Sequence, residues 1–303
     1  SNGAARDCSC GWVVSRKWLV NERITEILTQ GFERELYTAA LNNLADSSNP
    51  LRLNNFAYAM RELTRHVLHR LAPDESVRKC RWYRDESNGR NEPTRRQRAC
   101  YAVQGGLSDE YVQNILGLEV TEMHSRLSKA IRALSRLTHI EEGVFALPEE
   151  VVQALSDDTI EAVAGLCGAI LECRREIITA LWEQIDQATV EQLLSETLLA
   201  IDEIAPHHSI EEIYTDRIEI ISISHDQVNF LAEGSVTAGL QWGSNSDIRR
   251  GDGITGTESF PFTCQLWSLV ETPDEVETSE AGPTVDTSSW WDGYYGEEPE
   301  PLG

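Results

Sequence analysis

The chain has 303 residues, a formal net charge of −24 and 41% hydrophobic residues. No apolar run approaches the roughly 20 residues that a membrane-spanning helix needs, and the first residues lack the pattern of a signal peptide, so we expect a cytoplasmic protein with no membrane partner. The seven cysteines are scattered without the spacing of a disulfide framework or a zinc site, so no metal is expected.

Hydrophobic periodicity predicts that the N-terminal part of the chain is helical after a flexible segment, residues 1–20. Apolar residues keep helical spacing between Glu22 and Leu44, which predicts one amphipathic helix. A second amphipathic helix follows and ends at Pro73. Its predicted buried stripe consists of Phe56, Met60, Leu63, Val67 and Leu71.

Residues 74–98 are polar and rich in arginine, which predicts a long loop or an extended arm. Helical spacing and end signals predict five more helices beyond the start of this arm, over residues 94–103, 108–116, 121–139, 148–185 and 190–204. The helical domain is therefore predicted to cover residues 21–205.

The hydrophobic pattern changes from helical to alternating after Pro206. Alternating apolar residues predict three strands within residues 218–223, 228–236 and 260–266, and hence a small antiparallel β domain over residues 206–271. The last 33 residues contain ten acidic residues and no basic one. Residues 272–303 are therefore predicted to be a disordered acidic tail, whose aromatic residues dock on a partner or which only increases solubility. The predicted fold class is α+β.

Positive charge is concentrated in one part of the helical domain. Residues 61–136 contain 15 basic and 10 acidic residues, a net charge of +5, whereas the rest of the chain has a net charge of −29. Arginine outnumbers lysine 23 to 3, and a guanidinium can donate two parallel hydrogen bonds to a phosphate. The predicted nucleic-acid-binding residues are Arg65, His69, Arg95, Arg96, Arg98 and Arg136.

Two arginine and histidine pairs lie in the same part of the chain. Four residues separate Arg61 from His66, and six separate Arg132 from His139. A histidine can move a proton at a ribose 2′-hydroxyl or at the leaving oxygen, while a guanidinium neutralises the charge that develops on the phosphate. Either pair predicts catalysis of metal-independent phosphodiester cleavage without a cofactor. The structural alternative is that the arginines pair with surface carboxylates and that the histidines lie at the edge of the core.

A glycine-rich loop connects two of the predicted strands over residues 243–253. Such a loop can bind an anion through backbone amides and arginines, or it can be a structural turn held by salt bridges. The residues predicted to bind a ligand or a partner there are Asp247, Arg249, Arg250 and Asp252.

Both arginine and histidine spacings resemble the Arg-x(4–6)-His signature of HEPN ribonucleases. That resemblance implies an all-helical bundle in which two copies of the chain form one composite RNase site. It also implies a homo-oligomer, with Arg61 and His66 or Arg132 and His139 at the site.

A larger part of the chain, residues 36–269, resembles the predicted nucleases that associate with prokaryotic Piwi (pPIWI) proteins. The resemblance rests on the phrases at residues 55–73, 94–98, 104–107, 137–139 and 241–253. It implies an endonuclease of an antiviral defence system that cleaves nucleic acid, RNA in preference to DNA, and that has a defence-system protein as partner. The alternative is a non-catalytic adaptor that recruits another component of a defence complex.

Overall fold

A computed structural model describes residues 20–119, 122, 125, 128, 129, 132, 145–195 and 198–295 of this chain. It divides the chain into two compact units, Ser1–Glu176 and Ile177–Gly303. Helices precede an antiparallel sheet, so the predicted α+β class is confirmed. No helix among the described residues combines the length and the apolar character that crossing a bilayer requires.

The first unit is helical. Its helices are α1 (residues 20–27), α2 (Phe32–Ala45), α3 (Arg52–Leu71), α4 (Asp74–Lys79), α5 (Arg95–Gln104), α6 (Asp109–Asn114) and the part of α7 (Glu149–Ser195) that ends at Glu176. Between residues 120 and 144 the described residues are all helical, namely Glu122, Ser125, Ser128, Lys129 and Arg132.

The core of the first unit is formed by one face each of α1, α2, α3 and the first part of α7. Phe56, Met60, Leu63 and Val67 of α3 are buried in this core, as their helical spacing predicts. A smaller apolar cluster anchors the polar segment that follows α3. In this cluster Val77 and Cys80 of the segment pack against Ala72 and against Tyr101 of α5. The predicted loop or arm therefore contains a helix, α4, and is anchored to α5.

The helix predicted between Glu22 and Leu44 is interrupted. Gly31 adopts a positive φ of 79°, a backbone conformation that glycine reaches without strain, and α2 begins at the next residue. The side chain of Glu33 accepts a hydrogen bond of 2.8 Å from the backbone N–H of Thr29. The prediction of one continuous helix is wrong here, because this turn satisfies the backbone of the break locally.

The second unit contains the sheet. Its elements after α7 are α8 (Leu199–Asp202), β1 (His207–Ile223), β2 (Gln227–Trp242), α9 (Asn245–Arg250), β3 (Ile254–Leu269), β4 (Thr272–Thr278), β5 (Thr284–Val285) and α10 (Ser288–Tyr295). The strand order is β1-β2-β3-β4, all antiparallel, and β5 also pairs with β3. Apolar residues alternate and bury one face along β2, along β3 from Phe260 and around Ile218 and Ile220 of β1, as predicted, whereas the first part of β1 has no buried residue.

The sheet and a helix continue into residues 272–295, where the composition predicts a disordered tail. Trp290 of α10 stacks on Trp242 of β2, with ring centroids 5.7 Å apart and planes 15° apart. An acidic composition predicts that a segment buries little apolar surface of its own. It cannot show that a tryptophan of this segment packs on a residue far away in the sequence. The last eight residues of the predicted tail, 296–303, lie outside the described residues.

Gly234 has no space for a side chain. A Cβ atom there would lie 2.0 Å from the backbone oxygen of Tyr214 and 2.9 Å from the ring of Phe262. We expect Gly234→Ala to destabilise the sheet by about 2 kcal/mol or more, because backbone and a buried ring must both move. Urea unfolding measures this loss, and Gly165→Ala is the control, since nothing lies within 4 Å of a Cβ at that helical position.

Candidate nucleic-acid interface

Two arginine-bearing helices, α3 and α5, pack against each other in the first unit. The start of α5 is fixed by a capping box, in which Thr94 accepts from the backbone N–H of Gln97 while the Gln97 side chain accepts from the backbone N–H of Thr94. The Gln97 amide also donates a hydrogen bond of 2.6 Å to the Arg84 carbonyl. The segment before α5 and the helix start are therefore held as one piece.

Arg98 joins three elements. Its Nη1 donates a hydrogen bond of 2.9 Å to the Ala72 carbonyl at the end of α3, and lies 2.7 Å from Oδ1 of Asp74 at the start of α4. Arg98 is only 6% exposed, and its hydrogen bond holds the pKa of Asp74 below the ordinary value. Arg98 was predicted to bind nucleic acid, and the structure places its charge against a carboxylate.

A cavity of about 380 Å³ lies between these helices. Four of the predicted nucleic-acid-binding residues line it together with four residues that were not predicted, and the complete lining is Arg65, Leu68, His69, Asp74, Glu92, Pro93, Arg95 and Arg98. The volume falls within the range of small-molecule and nucleotide sites. Spacing within α3 indicated that Arg65 and His69 share a face, but the contribution of α5 depends on packing across about 30 residues of sequence.

Positive charge accumulates beside this cavity. The pKa of Arg95 is lowered, first by burial and next by the charge of Arg61. The carboxylate of Glu62 raises this pKa, and the charge of Arg65 lowers it further. Nε of Arg65 lies 2.8 Å from Oε2 of Glu62, whereas Arg95 makes no hydrogen bond or ion pair with any residue that the structure describes. A bound anion would relieve the repulsion among these guanidinium groups.

His69 lies on the wall of the same cavity. Burial lowers its pKa below the ordinary value of 6.5, and the charge of Arg98 lowers it further, although the carboxylate of Asp74 opposes this effect. The imidazole is therefore largely neutral at pH 7, which is the form that can accept a proton.

His66 lies on a different side of α3, against α2. Its Nε2 is 3.8 Å from Oε1 of Glu33, and its ring meets that of Phe32 edge to face at 5.0 Å between centroids. Arg70 donates two hydrogen bonds of 2.8 and 2.9 Å to the same carboxylate. Arg61, in contrast, interacts electrostatically with Arg95 of α5.

The remaining predicted residues of the helical domain lie elsewhere. Arg96 pairs with Glu86 at 2.6 Å and does not line the cavity. Arg132 is exposed and helical, and its Nε donates to the Ser128 carbonyl at 3.1 Å. Arg136 and His139 lie outside the described residues.

The glycine-rich loop of the second unit contains helix α9. Ser244 and Asp247 form a capping box, and the hydrogen bonds from Ser244 lower the pKa of Asp247. Nε of Arg249 donates to the Asn245 carbonyl at 3.1 Å. Two of the four predicted residues are thus used in local structure, and the other two are exposed, namely Arg250 and Asp252.

The four cavity residues that the sequence did not indicate are Leu68, Asp74, Glu92 and Pro93. Asp74 follows Pro73 at a helix start, where an acidic residue is common, so its position had a structural explanation. Glu92 lies in the polar arm and carries no sequence signal. Within the part of the chain that the structure describes, no three His, Cys, Asp or Glu side chains come together to hold a metal ion.

Comparison with known proteins gives matches over most of the chain. Two family models, each described as "Predicted pPIWI-associating nuclease", match residues 25–163 and 170–291. No curated protein and no solved structure matches the chain significantly. The first family match contains the cavity and the second contains the sheet, and together they span more than half of the sequence. The chain therefore belongs to the family of predicted pPIWI-associating nucleases.

Proposed function

We propose that this protein is a nuclease that cleaves RNA in preference to DNA, and that the cavity between α3 and α5 binds the scissile phosphodiester. The observation that carries this proposal is Arg95, which lines the cavity without an ion-pair partner among the described residues and faces repulsion from Arg61 and Arg65. A phosphate oxygen is the partner that a guanidinium fork fits best.

In the proposed reaction, Arg95 and Arg65 bind the phosphate and stabilise the charge that develops on it. The neutral imidazole of His69 accepts the proton of the ribose 2′-hydroxyl, and the resulting alkoxide attacks the phosphorus. The bond to the 5′-oxygen breaks, the leaving oxygen takes up a proton from water and becomes a 5′-hydroxyl, and the other strand end is left as a 2′,3′-cyclic phosphate. A 2′-hydroxyl is required for this chemistry, so it explains a preference for RNA, and no metal ion takes part.

The pairs Arg61 with His66 and Arg132 with His139 remain proposed catalytic pairs. The resemblance to HEPN ribonucleases supports a site shared between two copies of the chain, in which a pair from each copy could act. Two double variants therefore test these pairs alongside the cavity variants. They are Arg61→Ala with His66→Ala, and Arg132→Ala with His139→Ala.

The experiment incubates the purified full chain with labelled RNA and labelled DNA, in Mg²⁺ and in EDTA. We expect RNA to be cleaved, DNA to stay intact because it lacks the 2′-hydroxyl, and the cleavage of RNA to persist in EDTA. Loss of cleavage in EDTA would contradict the metal-free mechanism. Absence of cleavage in every condition, together with stable binding to a protein partner, would favour the non-catalytic adaptor instead.

Arg95→Ala tests the phosphate site. We expect the affinity for RNA to fall about 10- to 100-fold, because a charge-assisted hydrogen bond contributes about 1.5–3 kcal/mol. The slope of the logarithm of the RNA affinity against the logarithm of the salt concentration should also decrease by the contribution of about one phosphate contact. The matched control is Arg90→Ala, since Arg90 is exposed and does not line the cavity. Equal losses in both variants would show that only net charge matters.

We propose that the biological role is antiviral defence and that a pPIWI protein is the partner. The family description supports this association. Co-purification of the full chain with a co-expressed pPIWI protein tests the association directly, and separate elution of the two proteins at physiological salt would contradict it.

A further inference from the structure

The cavity contains one acceptor that no residue described by the structure uses. Its two carboxylates are Asp74 and Glu92. Asp74 is paired with Arg98. The side chain of Glu92 makes no hydrogen bond or ion pair with any described residue, and only its backbone N–H is used, in a 3.0 Å hydrogen bond to the Ser87 hydroxyl.

Glu92 is exposed, so water hydrates its carboxylate in the free chain, and a ligand with N–H groups that reach it can replace that water. The Glu92 carboxylate repels a phosphate, so its presence in the same cavity as Arg95 weakens the binding of phosphate alone. It becomes favourable when the same ligand carries N–H groups that reach it. A nucleotide satisfies both requirements, because the phosphate faces the guanidinium groups while the base edge faces the carboxylate.

The four bases differ in what they offer to a carboxylate. Guanine presents N1–H and N2–H side by side, and the two carboxylate oxygens can accept both. Adenine and cytosine each place an acceptor nitrogen beside one amino group, and uracil places its single N–H between two carbonyl oxygens. Only guanine therefore forms two parallel hydrogen bonds without bringing an acceptor against the carboxylate.

Apolar groups complete the lining. Leu68 is 2% exposed and Pro93 is buried, and both belong to the wall of the cavity. The small surface that these two residues present to the cavity is apolar, so it can contact a base but offers nothing to a phosphate. Pro93 also follows Glu92 directly, so the surface for the base and the acceptor for its edge are adjacent in the chain.

We propose that this cavity recognises a guanine nucleotide of the nucleic-acid substrate, with Glu92 accepting hydrogen bonds from N1–H and N2–H of guanine. This inference rests on the proposed binding of nucleic acid in the cavity, but not on cleavage. Glu92 is then the specificity-determining residue, and Arg95 holds the phosphate of the same strand.

Binding of short labelled oligouridine strands, each with one central guanosine, adenosine, cytidine or uridine, tests the proposal. The full chain should bind the guanosine strand about tenfold or more tightly than the others, the size expected for one bidentate contact to a base. Glu92→Gln should abolish this preference, because an amide presents one acceptor and one donor in place of two acceptors.

The control is Glu35→Gln, which makes the same change of charge at an exposed position of α2 outside the cavity. It should keep the preference for guanosine. Equal binding of all four strands by the unaltered chain would overturn the inference while leaving the proposed function intact. A guanosine preference that survives Glu92→Gln would overturn the role of Glu92, and failure to bind any strand would count against the nucleic-acid site itself.

Discussion

Replacing His69 by alanine is expected to slow RNA cleavage about 100- to 10,000-fold, the contribution typical of a general acid or base. His69 lines the cavity and is held largely neutral, whereas His66 contacts Phe32 and Glu33 on another side of α3. Binding of RNA should weaken far less than the rate, because the proposed phosphate contacts come from arginines. Single-turnover cleavage and gel-shift measurements separate the two effects.

His66→Ala is the control variant that distinguishes the two candidate histidines of α3. A small loss of rate in that variant and a large loss in His69→Ala would support the cavity as the reaction site. The reverse result would assign proton transfer to His66, as its spacing from Arg61 predicts, and would reject the role proposed for His69.

The pH dependence provides an independent check. The pKa of His69 is lowered from 6.5 by burial first and by the charge of Arg98 next, so the imidazole loses its proton below neutral pH. A general base acts in its neutral form. The cleavage rate should therefore rise with pH on the acidic side and reach its plateau at a lower pH than an imidazole with a pKa of 6.5 would give, and His69→Ala should remove that rise.

Arg70→Met is expected to lower the free energy of unfolding by about 1–3 kcal/mol, because it leaves a buried carboxylate without its partner, although the Arg70 side chain is itself 32% exposed. Glu33 is 1% exposed and accepts both hydrogen bonds from Arg70. Without that arginine, the buried carboxylate keeps its hydrogen bonds from Thr29 and has a histidine nitrogen 3.8 Å away, but it has no cationic donor in contact. Urea unfolding monitored by circular dichroism measures the loss.

Two further variants show whether the buried charge causes the loss. Adding Glu33→Gln to Arg70→Met should restore part of the stability, because a neutral amide is less costly to bury than an unpaired carboxylate. Arg90→Met, at an exposed position, should change stability by no more than about 0.5 kcal/mol. An unchanged double variant would show that lost packing of Arg70, and not charge, accounts for the effect.

The sign of the pH effect follows from Glu33. Burial raises its pKa, but the hydrogen bonds from Arg70 and Thr29 outweigh burial and leave the pKa below 4.5 in the folded protein. A lowered folded pKa adds stability at pH values above the unfolded pKa. That contribution is lost as the pH falls through the folded pKa, which lies below 4.5, so the difference between the original chain and Arg70→Met should shrink as the pH is lowered into that range.

The regular elements of the fold could be predicted wherever one face is continuously apolar. The spacing of Phe56, Met60 and Leu63 gave α3, and the alternation around Val228 and Phe230 gave β2. Such patterns report burial, so they identify elements that bury many side chains. Short or polar elements such as α4 and β4 carry no such pattern, since they are held by a few contacts to residues distant in sequence.

The candidate site was predictable in its chemistry but not in its arrangement. Arginine-rich segments on α3 and α5 indicated phosphate binding, and four residues from these segments do meet at one cavity. Spacing on a single helix could not show that Glu33 lies beside His66, because α2 provides that carboxylate. It could not show that Arg98 would be neutralised by Asp74 either, since that pairing depends on how α3, α4 and α5 pack.

The contact of Arg98 with Ala72 and Asp74 affects how a mutational screen for activity should be interpreted. Arg95 and Arg98 lie within one helical turn and line the same cavity, so alanine at either position is expected to give an inactive strain. The causes differ, because the first variant loses a ligand contact and the second loosens the junction of three helices. Cellular abundance separates them: the Arg98 variant should be degraded, whereas the Arg95 variant should accumulate to normal levels.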